Sequence, residues 1–281
     1  MTNRFTDIKQ EEISAEIKEI SPAGSYETYR RLISYIDLTS LNLTDSEQSV
    51  NAMVSKVNNF QYLFPDLLNV AGLCVFPRFV PALKKALEID NVKIVSVAGS
   101  FPSSQTFIEN KIDECKRVMD AGAEEIDIVI SLGEFMAGNY DLVGEEISAI
   151  KETIGCTHLK VILETGLIHK PDLIYTAAIT AMEAGADFIK TSTGKASVSA
   201  TPEAAWVMCN AIKDYHGKTR KEVGFKPAGG IATKNDALLY YYIVEQVLGR
   251  NWLVPGLFRI GASRLANDLL NTVESRDVNY F

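Results

Sequence analysis

Two lysines each close an apolar run, and each leads directly into a loop of small residues. Lys190 follows Phe188 and Ile189 and precedes Thr191, Ser192, Thr193, Gly194 and Lys195; Lys226 follows Gly224 and Phe225 and precedes Pro227, Ala228, Gly229 and Gly230. An amine that is desolvated or set beside another cation loses proton affinity, and a neutral lysine amine adds to carbonyls to form imines. One strand-end lysine is ordinarily a solvated or salt-bridged surface residue, but two in matching settings suggest imine chemistry. By type and spacing, Lys190, Lys195 and Lys226 all qualify as the nucleophile. Lys195 is the poorest candidate, because within a loop its charge stays solvated and best serves an anion.

The same loops suit a phosphate. Gly194 with Lys195, Gly229 with Gly230, and Gly261 with Ser263 ahead of a helix all let backbone N–H groups approach an anion, and a helix start adds a favourable dipole. Turn geometry accounts for any one of these glycines alone. Together on neighbouring loops, they form a candidate phosphate site. Asp127 lies between Ile126 and Ile128, where an unpaired carboxylate is costly to bury, so it requires a partner. A structural salt bridge to a lysine is the plainest such pairing. Asp37 is a second acid at the end of an apolar run.

These residues must be held by regular elements, and the chain supplies a single rhythm from about Ile33 onward. Apolar runs end near Asp37, Phe76, Gly99, Ile130, Glu164, Lys190, Lys226 and Ala262, and each is followed by a polar loop and an amphipathic helix. Thr201, Pro202 and Glu203 read as N-cap, first helical residue and first-turn acid. Eight alternating units whose strands are too uniformly apolar to have a wet face require a parallel sheet covered by helices. The fold class is therefore α/β, and its simplest closure is a single (β/α)8 TIM barrel over residues 1–281. The alternative, an open doubly wound sheet holding a dinucleotide, lacks its Gly-x-Gly-x-x-Gly turn after the first strand. Residues 1–30 read as an extension with one extra helix from about Asp7 to Ile20, and residues 275–281 as a tail ending in Tyr280 and Phe281. In such barrels, chemistry sits at the C-terminal ends of the strands and phosphate at the loops after strands seven and eight.

With 281 residues and 47% apolar content, the chain has ample material for a core. Its net charge of −8 gives no basic footprint for nucleic acid and would repel an anionic membrane, so a phosphorylated ligand needs a locally positive pocket. Cys74, Cys115, Cys156 and Cys209 show no C-x-x-C pairing and read as buried free thiols, which points to the cytoplasm. His158, His169 and His216 lack metal-ligand spacing, so no metal and no cofactor are expected.

The segments FIKTSTGK (188–195), SATPEA, GFKPAGGIAT (224–233), YIDLTSL (35–41), CVFPRFVP (74–81), EIDIVI (125–130) and FMAGN (135–139) resemble, in unbroken order over about residues 31–270, those of the 2-deoxyribose-5-phosphate aldolases, which are class I aldolases. The resemblance implies that Lys190 forms the imine, that Lys226 is the neighbouring lysine assisting proton transfer, and that Asp127 shuttles protons through water. It makes Asp37 an orienting acid and gives Cys74 no nucleophilic role. It also implies a terminal tyrosine over the barrel mouth, for which Tyr280 is the candidate, although it is penultimate here. Ala232 stands where related sequences often carry a basic residue, and Arg264 is placed to compensate. The partners implied are a small phosphosugar and an aldehyde, with a homodimer as the candidate assembly. The rival readings are another class I phosphosugar aldolase, a transaldolase-like barrel, or a phosphosugar-binding barrel without chemistry.

Overall fold

A computed structural model describes residues 3–6, 8 and 10–281. Its eight strands are β1 (Ile36–Thr39), β2 (Gly72–Val75), β3 (Lys93–Val97), β4 (Glu125–Val129), β5 (His158–Ile162), β6 (Phe188–Lys190), β7 (Gly224–Lys226) and β8 (Ile260–Ala262). All pair in parallel, in the order β7-β6-β5-β4-β3-β2-β1-β8. Isolated parallel bridges Phe225↔Phe258 and Ala228↔Gly261 join β7 to β8 and complete the ring. The eight strands correspond to the eight apolar runs of the sequence.

The helices are α1 (Gln10–Lys18), α2 (Tyr26–Ile33), α3 (Glu47–Leu63), α4 (Val80–Ala86), α5 (Ile108–Asp120), α6 (Leu132–Met136), α7 (Tyr140–Ile154), α8 (Thr165–Ile168), α9 (Pro171–Glu183), α10 (Pro202–Thr219), α11 (Lys234–Leu248) and α12 (Leu265–Glu274). Capping chemistry sets several starts. Thr201 accepts from the Ala204 N–H at the head of α10, and Thr233 and Asp236 form a reciprocal box at the head of α11.

Two helices, not one, precede the barrel. Asp7, the expected start of the extension, lies outside the described residues; α1 follows it, and α2 begins where the Ser25 side chain accepts from the Thr28 N–H. α2 buries Leu32 and Ile33 and packs on α12. Cys156 is exposed, contrary to expectation, because it lies in the turn after α7, whereas Cys74, Cys115 and Cys209 are buried.

The segment after α11 closes the end of the barrel opposite the lysine loops. A short turn at Arg250–Trp252 buries Trp252, whose indole N–H donates to the Val223 carbonyl, and the Tyr35 hydroxyl donates to the Leu253 carbonyl at 2.7 Å. This floor lies under the N-terminal ends of β7, β8 and β1. Among the described residues no helix is long and apolar enough to cross a membrane.

Candidate active site

Parallel pairing sets Lys190 beside Lys226 in register, at the C-terminal ends of β6 and β7. Pro227 has no N–H to continue the ladder, and Thr191 takes over: its hydroxyl accepts from the Ala228 N–H at 2.9 Å and donates to the Ala228 carbonyl. Both ammonium groups donate to the same atom, Asp127 Oδ2, each at 2.8 Å. The expected partner of Asp127 is therefore a pair of lysines, and a third, Lys160, reaches its other oxygen at 3.2 Å.

Below this group runs an ionic ladder that the sequence reading missed. Lys160 bonds Glu125 at 2.5 Å, and the Arg259 guanidinium spans Glu125 at 2.8 Å and Asp37 at 2.5 Å. Lys226 Nζ also lies 2.5 Å from Asp37 Oδ2, as a charge contact without hydrogen-bond alignment. Asp37 thus lies between Lys226 and Arg259, in contact with both. Lys160 and Arg259 both approach the Phe188 ring, at 5.8 and 5.9 Å from its centre. A Cβ at Gly224 would lie 2.2 Å from that ring, so the first residue of β7 has to be glycine.

Burial is the largest influence on each acid and pushes its pKa up, yet the cations prevail. Asp127 is held well below the usual carboxylate range by Lys160, Lys190 and Lys226, and Asp37 is lowered by Lys226, Arg259 and Lys160. Lys226 departs from the simple expectation that a desolvated lysine gives up its proton. Burial pulls it down, but Asp127 and Asp37 outweigh that and hold it cationic. Cys74 is pushed up by burial, consistent with an unreactive thiol.

Lys190 is 3% exposed and opens onto a cavity of about 210 Å³. Gly194, Lys195, Gly229, Gly230, Gly261, Ser263 and Arg264 line it, so all the candidate phosphate residues share one wall. Gly194 and Gly229 have φ of 77° and 87°, and a Cβ at Gly229 would lie 2.6 Å from that of Ser199. Among the described residues no protein acceptor takes the N–H of Gly194, Gly229, Gly230, Ser263 or Arg264. Two expected donors are spent on the fold itself. The Gly261 N–H donates to the Pro227 carbonyl, and the Lys195 N–H to the Thr193 hydroxyl. Lys195 Nζ bonds the Leu41 carbonyl at 2.5 Å, so it leans across the pocket toward the loop after β1. Ala232 lines the cavity without a charge, and Arg264 brings one from the loop after β8, with no ion pair among the described residues.

Tyr280 is not a wall of this cavity. The tail docks in the groove between α3 and α12, where the Asn267 carboxamide accepts from the Tyr280 and Phe281 N–H groups and donates to the Phe281 carbonyl. The Tyr280 ring packs on Phe60 and Phe64, and its hydroxyl donates to the Lys56 carbonyl at 2.6 Å. The expectation that it covers the mouth is corrected: side-chain aromatic packing and three backbone hydrogen bonds hold it elsewhere. Among the described residues no group of three or more histidines, cysteines and acids converges as metal ligands.

Residues 31–248 match the family model of the DeoC/LacD family aldolases. The deoxyribose-phosphate aldolase of Homo sapiens is 38% identical over 85% of this chain and 78% of its own length. That of Agrobacterium fabrum is 39% identical over 86% and 90%. Among solved structures, the tetrameric deoxyribose phosphate aldolase of Aeropyrum pernix aligns with a TM-score of 0.69 at 26% identity, covering 95% of this chain and 98% of that one. Sequence and architecture thus agree over most of the chain's length, and the chain belongs to the DeoC/LacD family of aldolases, enzymes that make and break carbon–carbon bonds.

Proposed function

We propose that the chain reversibly cleaves 2-deoxy-D-ribose 5-phosphate to acetaldehyde and D-glyceraldehyde 3-phosphate through a Schiff base on Lys190, as a cytoplasmic step in the breakdown of deoxyribose phosphates. The observation that carries this reading is the convergence of Lys190 and Lys226 on one oxygen of Asp127, at the base of a pocket walled by unpaired N–H groups. In the buried cluster, the carboxyls of Asp37, Glu125 and Asp127 face the side chains of Lys160, Lys190, Lys226 and Arg259, leaving one positive charge in excess. Release of one proton from Lys190, the member that opens onto the pocket, balances the cluster. The Lys190 amine then adds to the C1 aldehyde of the open sugar; the Asp127 carboxylate takes a proton from the nitrogen and passes it to the oxygen, and the Lys226 ammonium supplies the second proton with which water leaves.

The resulting protonated imine is an electron sink. Asp127, acting through water, takes the proton of the C3 hydroxyl, the C2–C3 bond breaks, and its electron pair passes through C2 to the imine nitrogen. D-Glyceraldehyde 3-phosphate departs, C2 of the enamine takes a proton, and water hydrolyses the imine to acetaldehyde and free Lys190. The unpaired N–H groups, Lys195 and Arg264 hold the phosphate end meanwhile.

Incubation with acetaldehyde and borohydride, followed by peptide mass spectrometry, is expected to leave an ethyl group on Lys190. An adduct only on Lys195 or Lys226 would overturn the assignment, and no adduct would favour a barrel that binds without chemistry. Identification of the products separates this reaction from cleavage of another phosphosugar. Activity should be unchanged by EDTA; loss restored by zinc would indicate a metal-dependent aldolase. With Tyr280 held in its groove, Tyr280→Phe is expected to leave exchange of solvent deuterium into acetaldehyde at the wild-type rate. Markedly slower exchange would show that the tail leaves the groove and that its phenol relays the proton.

A further inference from the structure

Glu164 is the residue immediately beyond the Leu163 that follows β5, and it departs from its surroundings in two ways. Its backbone is left-handed, with φ of 56° and ψ of 53°, a conformation that disfavours any residue bearing a Cβ. Its side chain is also buried, at 5% exposure, yet among the described residues it meets no cation, whereas Asp37, Glu125 and Asp127 all do. A glycine or asparagine would hold this backbone more easily, so the position is explained by what its carboxyl group does.

That carboxyl is spent wholly on Thr193. The Thr193 hydroxyl donates to Glu164 Oε2 at 2.6 Å, and the Thr193 N–H donates to Oε1 at 3.2 Å. With its hydrogen committed to Glu164, the Thr193 oxygen turns a lone pair toward the Lys195 N–H, at 3.0 Å. Gly194, which lines the pocket and whose N–H meets no protein acceptor among the described residues, lies between the two residues so held. Neighbours of Glu164 grip the same loop elsewhere. The Thr165 N–H donates to the Thr191 carbonyl, and Gly166 packs so closely on Val198 that a Cβ would lie 2.0 Å from its carbonyl oxygen.

We infer that Glu164 is a positioning residue for substrate recognition, which through Thr193 fixes the loop after β6 in the shape that presents Gly194 and Lys195 to the phosphate of a phosphosugar. The role rests on the reading of this pocket as a phosphosugar site. It predicts selectivity between phosphorylated and unphosphorylated substrates rather than a contribution to imine formation, because the Glu164 side chain has no hydrogen bond or ion pair to Lys190, Lys226 or Asp127 among the described residues.

The test compares Glu164→Gln, Glu164→Ala, Thr193→Val and Thr193→Ser on 2-deoxyribose 5-phosphate and on 2-deoxyribose. Glu164→Ala and Thr193→Val should each reduce the ratio of kcat/KM for the phosphorylated over the plain sugar by about tenfold, the effect of one lost buried hydrogen bond. The loss should appear as a raised KM for the phosphosugar. Because the two residues act as one unit, the double variant should lose little more than either single one. Thr193→Ser keeps the hydroxyl and should restore the ratio, and Glu164→Gln, which keeps one acceptor, should fall between. Loss of both substrates in equal proportion, or an unchanged ratio in Thr193→Val, would overturn the proposal. If Glu164→Ala does not fold, Glu164→Gln and Thr193→Val decide. Calorimetric titration with inorganic phosphate provides a readout without turnover, and binding should weaken about tenfold in Thr193→Val. Failure of acetaldehyde trapping in the unmodified protein would overturn the aldolase reading alone. Failure of phosphate to bind it, or equal affinity in Thr193→Val, would overturn the role of Glu164.

Discussion

Lys226→Leu and Asp127→Asn should each lower kcat/KM by about two to four orders of magnitude, the scale of a lost proton-transfer group, but with different pH profiles. Removing Lys226 deletes a cation that stays charged in the folded protein, so three buried carboxyls then face three cations with Lys190 protonated. The positive excess of the cluster is gone. The residual rate of Lys226→Leu should therefore recover in part as the pH is raised. Asp127→Asn leaves the positive excess larger and removes a proton carrier instead, so alkali should not restore it. Identical profiles, scaled down equally, would show that the two residues do not divide the work in this way.

Arg259→Met is expected to have the largest effect on stability. It leaves Asp37 with only the charge contact to Lys226 and Glu125 without one of its two cations, both buried in the barrel interior. Breaking one side of a buried ionic pair costs about 3–5 kcal/mol, which at this chain length corresponds to a fall in Tm of roughly 6–20 °C. Thermal unfolding checks this, and an unchanged Tm would mean that the ladder is not holding the barrel. Arg259→Lys keeps the charge but loses the fork that spans two acids, so it should recover only part of the loss. The pH dependence has a defined sign. Asp37, Glu125 and Asp127 all titrate below their ordinary values in the folded protein, so the stability they provide is complete above about pH 4 and is lost as the pH falls toward those lower values. In Arg259→Met the folded values of Asp37 and Glu125 rise, so acid unfolding should begin at higher pH.

The strands were legible because a parallel barrel buries both faces, which makes each strand a short apolar run with no alternation to obscure it. The lysines were legible for the opposite reason, as charges where such runs end. Glu125, Lys160 and Arg259 carried the same signal in weaker form, each a charge set within a run, but their pairing spans up to 134 positions and emerges only when the ring closes. Spacing along the chain contains nothing of that. α6 and α8 are too short to show a helical period, and α2, eight residues long, has little more than its Ser25 cap to mark it. The loops read as a candidate phosphate site do line one cavity, yet which of their N–H groups the fold consumes depends on strand register and is not contained in spacing. Glu164 left no trace beyond being the polar end of the fifth run. Its left-handed backbone and its bond to Thr193 are properties of three dimensions.

The floor built by Tyr35, Trp252 and Leu253 has a consequence for how hydrogens reach the centre of the molecule. With that end covered, the fully buried Lys226 lies behind Lys190, and its labile hydrogens are expected to trade with solvent through the cavity that Lys190 lines. A molecule seated in that cavity acts as a stopper. Isotope uptake at the Lys226 side chain, followed by NMR, therefore becomes a gauge of occupancy, slowing as the vessel fills even though the group observed is not required to touch what fills it.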